Sequence, residues 1–153
     1  MRSVLLSIFF LLLISCSNSA DKNNQSASEG NQSAAAQQYA DLPVDEAINK
    51  AIDNDDYEEA LKLLQQNEDI PMHKELLEKT HLNYGLYMEY RGEGDMRSRM
   101  TGALRQFIKT LQVNPDNPKA RAEVDQIMSV YQTIPNKNPP QGILDTLNQM
   151  NLR

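Results

Sequence analysis

The 153-residue chain has one cysteine, no tryptophan and three phenylalanines. A single cysteine excludes an intrachain disulfide framework and a thiolate metal cage. The two histidines, His73 and His81, do not form an HExxH pair, and the Gly92-Glu93-Gly94 turn has no lysine placed as in a phosphate-binding loop. Positive charge is in the minority, with 15 Lys and Arg facing 21 Asp and Glu for a net charge of −6. So acidic a chain excludes nucleic acid as an expected partner. No segment alternates as a half-buried strand does, and Leu, Ile, Ala and Met recur at helical spacing, which predicts an all-α protein.

The longest apolar stretch, Val4 to Ile14, is eleven residues with Ser7 inside it. As a helix it spans about 16 Å, roughly half the hydrocarbon thickness of a bilayer, so it is too short to anchor the chain by itself. With Arg2 ahead of it, the run reads as a secretory signal. Its end, Leu13-Ile14-Ser15-Cys16, resembles the lipobox of bacterial lipoproteins, in which two apolar residues and a small one precede the cysteine. The resemblance implies cleavage before Cys16, a diacylglyceryl group on its sulfur and further acylation of the new amino group. Two or more acyl chains give stable membrane attachment, at about 0.8 kcal/mol per buried methylene. Ser17 is similar to the non-aspartate residue that accompanies sorting to the outer membrane. The expected location is therefore the bacterial cell envelope, lipid-anchored at the outer membrane and facing the periplasm. Removal of residues 1–15 takes Arg2 away, leaving 14 Lys and Arg against 21 acids and a net charge of −7.

Residues 17–40 contain no Leu, Ile, Val, Phe or Met. Such a stretch cannot bury enough apolar area to offset its ordering entropy, so residues 16–40 read as a lipidated cysteine followed by a flexible tether with a span of about 27 Å. The pattern changes at Pro43, and residues 41–150 read as one helical domain. Val44, Ala47, Ile48, Ala51 and Ile52 form a first amphipathic stripe, and Tyr57, Ala60, Leu61 and Leu64 a second, closed by Pro71. A third helix from about Met72 to Tyr90 spreads its apolar residues over an arc of about 140°, wide enough to pack between neighbours. The fourth, about Arg97 to Val113, places Met100, Ala103, Leu104, Phe107, Ile108 and Leu111 on one side. Asn117 and Pro118 supply a cap and first residue for a fifth helix with Ala120, Val124, Ile127 and Tyr131 inward. Ile143, Leu144, Leu147 and Met150 suggest a short sixth.

Two stretches share a pattern. NDDYEEALKLL carries Tyr57, Ala60 and Leu64, while GALRQFIKTLQVNPDNPKA carries Ala103, Phe107 and Pro115, preceded by Gly85 in LNYGLYMEY. These spacings resemble the tetratricopeptide repeat, in which a small residue on each helix lets a pair approach, a large one fills the groove and proline stops the second helix. The resemblance implies antiparallel helix pairs stacked as a short α-solenoid of about two and a half divergent repeats. It also implies a protein that binds peptides or partner domains without performing chemistry. Gly85 and Ala103 stand 18 residues apart where the repeat has 12, which predicts an enlarged turn, YRGEGDMRSRM. Ile48 occupies the small position of the first copy, and Lys137 stands where the third needs Ala.

The resulting expectation is a membrane-tethered adaptor or scaffold for another envelope protein or peptide, with no catalytic residue, cofactor or metal. Tyr84 and Tyr87 share the apolar arc and read as core, whereas Tyr90 lies to one side as a surface residue. Arg91, Arg97, Arg99, Arg105 and Lys109 exceed Glu93 and Asp95 locally. With Tyr90, the residues Arg91, Arg97, Arg99 and Arg105 form the candidate partner-binding edge, in contrast to residues 41–69, where ten acids face Lys50 and Lys62. The alternative is a small envelope enzyme, or an accessory subunit of one, using His73 and His81 with Glu75 or Glu78.

Overall fold

The computed structural model describes residues 38–134 and 137–152; the signal segment, Cys16 and the tether up to residue 37 lie outside the described residues. Among the described residues six helices follow one another: α1 Val44–Asp53, α2 Tyr57–Gln66, α3 His73–Tyr90, α4 Met96–Val113, α5 Pro118–Thr133 and α6 Gln141–Gln149. Among the described residues no strand occurs. Consecutive helices from α1 to α5 pack against one another through short connections, and α3 pairs with α4 most extensively. The backbone of α6 lies closer to α4 than to α5.

Local chemistry sets the boundaries. Asp95 Oδ1 accepts from the Ser98 N–H at 2.8 Å and starts α4, and Asn117 Oδ1 accepts from the Ala120 N–H at 2.8 Å and starts α5, with Pro118 first in the helix. Each such cap is worth about 1 kcal/mol. In the α1–α2 turn Asp55 adopts φ 61°, a left-handed conformation that its short polar side chain tolerates.

Two boundaries differ from the sequence expectation. α2 ends at Gln66 and not at Pro71, because Asn67 takes the final carbonyls: its Nδ2 donates to Leu63 O at 2.8 Å and its backbone N–H to Leu64 O at 3.2 Å. The enlarged turn is also absent. Only Arg91 to Asp95 separate α3 from α4, and the additional residues lengthen the helices to 18 residues each. Gly94, at φ 92°, makes so tight a reversal possible.

The α3–α4 interface is built over two glycines. A Cβ on Gly85 would stand 2.5 Å from Cε1 of Phe107, and one on Gly102 would stand 2.7 Å from Cε of Met88. Phe107 is fully buried, so its ring has no room to retreat, whereas the thioether of Met88 is the far end of a flexible side chain. The core divides into two clusters with α3 between them. Leu76, Leu77, Tyr84 and Tyr87 face the cluster of α1 and α2, around Ile48, Ala51, Tyr57 and Leu64. Leu82, Leu86 and Met88 face the other, formed by Leu104, Phe107 and Leu111 of α4, Val124 and Ile127 of α5 and Leu147 of α6. This two-sided burial accounts for the width of the apolar arc on α3. Tyr39 is 3% exposed in the first cluster, so the packed structure begins two residues before the boundary drawn at 41.

Substituting Gly85 by Ala is expected to destabilise the protein by about 1–3 kcal/mol despite the better helix propensity of alanine, because the ring of Phe107 blocks the methyl group. Urea unfolding midpoints check this, and Phe107→Leu in the Gly85→Ala background recovers part of the loss.

Candidate functional site

The last residues of α3 leave the helix in different directions. Glu89 Oε1 accepts from Nε2 of Gln126 on α5 at 3.2 Å, and the same Nε2 lies 3.4 Å from the hydroxyl of Tyr90. Tyr90 is 58% exposed, a large aromatic surface held only at its rim. Arg91 turns the other way: its Nη2 donates to Asp55 Oδ1 in the α1–α2 turn at 2.7 Å, and its guanidinium stands 5.0 Å from the ring centroid of Tyr87. That ring belongs to an aromatic cluster in which Tyr57 stacks on Tyr84 at 5.0 Å and meets Tyr87 at 5.6 Å. Tyr57 donates to the same Asp55 oxygen at 2.8 Å, and burial followed by this carboxylate pushes its hydroxyl pKa up. Burial and then Glu58 raise that of Tyr84. Tyr84 and Tyr87 are half-buried against the first cluster, on the arc the sequence assigned them.

The arginines expected to form an edge engage separate neighbours. Arg91 is paired with Asp55, and Arg97 donates from Nη2 to Asn138 O at 3.3 Å in the α5–α6 connection. Arg99 is half-buried, with its Nε shielded and without a hydrogen-bond partner. Arg105 is exposed on α4, as is Lys109. The arrangement thus joins Tyr90 to α5 and Arg91 to the first helix pair, leaving Arg97 and Arg105 as exposed positive charge on α4.

Beside Tyr90, sequence reasoning missed Glu89, Glu123, Lys119 and Gln126. Lys119 pairs with Glu123, whose side chain is 3% exposed. The pairing raises the pKa of Lys119. Glu89 is pushed up to about 7 by burial first, then by the charge of Glu123 and a hydrogen bond with it. A legible signal existed in Glu123, an acid inside the α5 stripe that runs Ala120, Val124, Ile127.

The two histidines are apart in role. His73 Nε2 lies 3.2 Å from Leu64 O, across the α2–α3 turn. His81 is buried between α3 and α4 with Nδ1 2.9 Å from Oε1 of Gln106. Glu78 accepts from Nδ2 of Asn114 at 2.8 Å and of Asn117 at 2.7 Å, tying the α4–α5 turn to α3, while Glu75 is exposed. Among the described residues no group of three or more His, Cys, Asp or Glu is arranged to hold a metal ion. A groove of about 520 Å³ runs between α5 and the chain end, lined by Arg121, Asp125, Met128 and Leu152, and it shares no residue with the Tyr90 group.

Comparison with family models, with curated proteins and with solved structures yields no match. Among the described residues the domain is all-helical, with six helices of which α1 to α5 each pack against the next. Among the described residues no helix is long and apolar enough to cross a membrane.

Burial lowers the pKa of His81, and the charge of Lys109 acts in the same direction against the hydrogen bond to Gln106. The native state therefore resists protonation of this ring, and its contribution to stability is complete above about pH 6.5 and declines as pH falls below it. Relative to His81→Gln, the wild-type protein is expected to lose stability on going from neutral to mildly acidic pH, measured by paired urea titrations.

Proposed function

We propose that the chain is a lipid-anchored helical adaptor of the bacterial cell envelope, its domain a divergent stack of tetratricopeptide type. In this reading Cys16 carries the acyl chains, the segment after it joins them to the domain that begins at Tyr39, and this helical domain presents Tyr90 with the arginines of α4 to an envelope protein or peptide. The observation that carries it is the seating of Phe107 over Gly85, a large apolar residue on one helix filling the place left by a small one on the other. This is the packing that the repeat spacing implies. Three further features support the reading. α1 and α2 contribute a separate cluster as a pair, α1 also reaches α3, and Asn117 and Pro118 restart the chain after the Pro115 stop. α6 leans on α4 in keeping with an incomplete third repeat.

The exposed ring of Tyr90 is the contact most suited to a partner, since an aromatic side chain delivers a large apolar area with little loss of conformational freedom. Arg97 and Arg105 add positive charge that orients an acidic partner and speeds its approach more than it tightens the complex.

A photocrosslinking amino acid at position 90 in cells is expected to yield one dominant adduct, and charge reversal at Arg97 and Arg105 to remove it. Without a discrete adduct the adaptor reading fails; an adduct unchanged by charge reversal removes the basic edge alone. In parallel, Cys16→Ala is expected to abolish labelling by radioactive palmitate and to move the protein out of the membrane fraction.

A further inference from the structure

The joint between α3 and α5 holds two acids where an apolar contact is expected. Glu123 lies in the buried stripe of α5, 2% exposed as a residue. Its Oε1 is paired with Lys119, and its Oε2 is buried without a hydrogen-bond partner. Glu89 repeats the arrangement from α3: Oε1 accepts from Gln126 at 3.2 Å, and Oε2 is buried and unpartnered. Gln126 lies one turn beyond Glu123 on α5, so its hold on Glu89 brings the two carboxyl groups to the same side of the joint, where burial, the charge of Glu123 and a hydrogen bond with it act together on Glu89. With both ionised, two acceptors confront one another with no donor between them, and a buried unsatisfied charged oxygen costs several kcal/mol. One proton removes both defects, turning one oxygen into a donor and the other into its acceptor.

We propose that Glu89 and Glu123 share a single proton that fastens α5 to α3, and that loss of this proton loosens α5 from the rest of the domain.

The charges around the pair favour this assignment. Lys119, on α5, lies against Glu123 and acts on Glu89 only from a greater distance. The Gln126 amide, also on α5, donates to the opposite oxygen of Glu89. Tyr90, the next residue on α3, holds its hydroxyl near the same amide. α4 packs on both helices and carries Arg97, Arg99, Arg105 and Lys109, none of which is within ion-pairing distance of either carboxylate. Glu123 keeps the ammonium of Lys119, while Glu89 holds the proton, with its pKa raised to about 7. A carboxyl raised in the folded state stabilises fully below its unfolded value of about 4.5, and that stabilisation is lost as pH rises through 7. The joint is therefore tight in mild acid and slack in mild base.

The proposal stands apart from the adaptor reading, since it concerns the cohesion of the fold and not what the fold binds. It is tested on the full chain by ¹³C NMR titration of the glutamate carboxyl groups, with amide hydrogen exchange at about pH 5.5 and about pH 8.5 corrected for intrinsic rates. One carboxyl group, assigned to Glu89 by its absence in Glu89→Gln, is expected to titrate near 7. Opening of α5 is expected to rise about tenfold between the two pH values, with α1 and α2 unchanged. Glu89→Gln keeps a donor toward Glu123 and is expected to hold α5 at its mild-acid protection throughout. An ordinary glutamate titration at position 89, or the same pH response in Glu89→Gln, overturns the proposal. Should that variant fail to fold, the wild-type titration decides alone, with the resonance assigned through its own backbone.

Discussion

The missing side chain of Gly85 sets the distance between the two longest helices. With nothing but hydrogen on that Cα, the ring of Phe107 lies directly on the backbone of α3, and α3 and α4 run side by side over their full lengths. Every other packing relation in the second cluster is measured from this contact. Leu104 and Leu111 of α4 enter the same cluster on either side of Phe107 in the sequence, and α5 and α6 add Val124, Ile127 and Leu147. A fully buried side chain of this size contributes about 1.5–3 kcal/mol by leaving water, so the cluster carries a large share of the domain's cohesion.

α3 also serves as the wall between two cores, and its polar residues fasten what the cores do not. Glu78 holds the two asparagines of the α4–α5 turn, Glu89 meets Gln126 and Glu123 on α5, and Arg91 reaches back to Asp55 in the α1–α2 turn. The exposed Arg91–Asp55 pair contributes little stability in itself. Its effect is positional: it draws positive charge toward the first helix pair and leaves Tyr90 beside α5 without a cation from its own helix end.

Helix existence was legible from the apolar stripe alone at Val44, after Pro43, and from a stripe together with a cap at Asn117-Pro118. The stop of α2 was harder to read because Asn67 competes for carbonyls with its side chain, a local hydrogen bond that leaves no mark on apolar periodicity, while Pro71 is conspicuous and acts too late. The start of α4 was legible from its stripe at about Arg97, whereas the enlarged turn implied by the repeat spacing was not borne out, because Asp95 caps Ser98 into the first turn and only Arg91 to Asp95 remain as connection. Of the candidate surface, exposure of Tyr90 followed from its angular position, but the diversion of Arg91 to Asp55 did not, since the two lie 36 positions apart and depend on the packing of three helices. Glu123 was legible in principle as a charge inside a stripe. Its partner Glu89 becomes apparent only once α5 is laid beside α3.

The way Tyr39 is held has a mechanical consequence. Its ring is packed in the first cluster, its hydroxyl lies 3.4 Å from Oδ2 of Asp56, and Asn54 donates to it at 3.3 Å. Any tension applied through the N-terminal segment enters the domain at this ring and is borne by the α1–α2 turn. From there Asp55 and Arg91 join that turn to the end of α3. Force entering at Tyr39 thus meets the first helix pair before it meets the face that carries Tyr90.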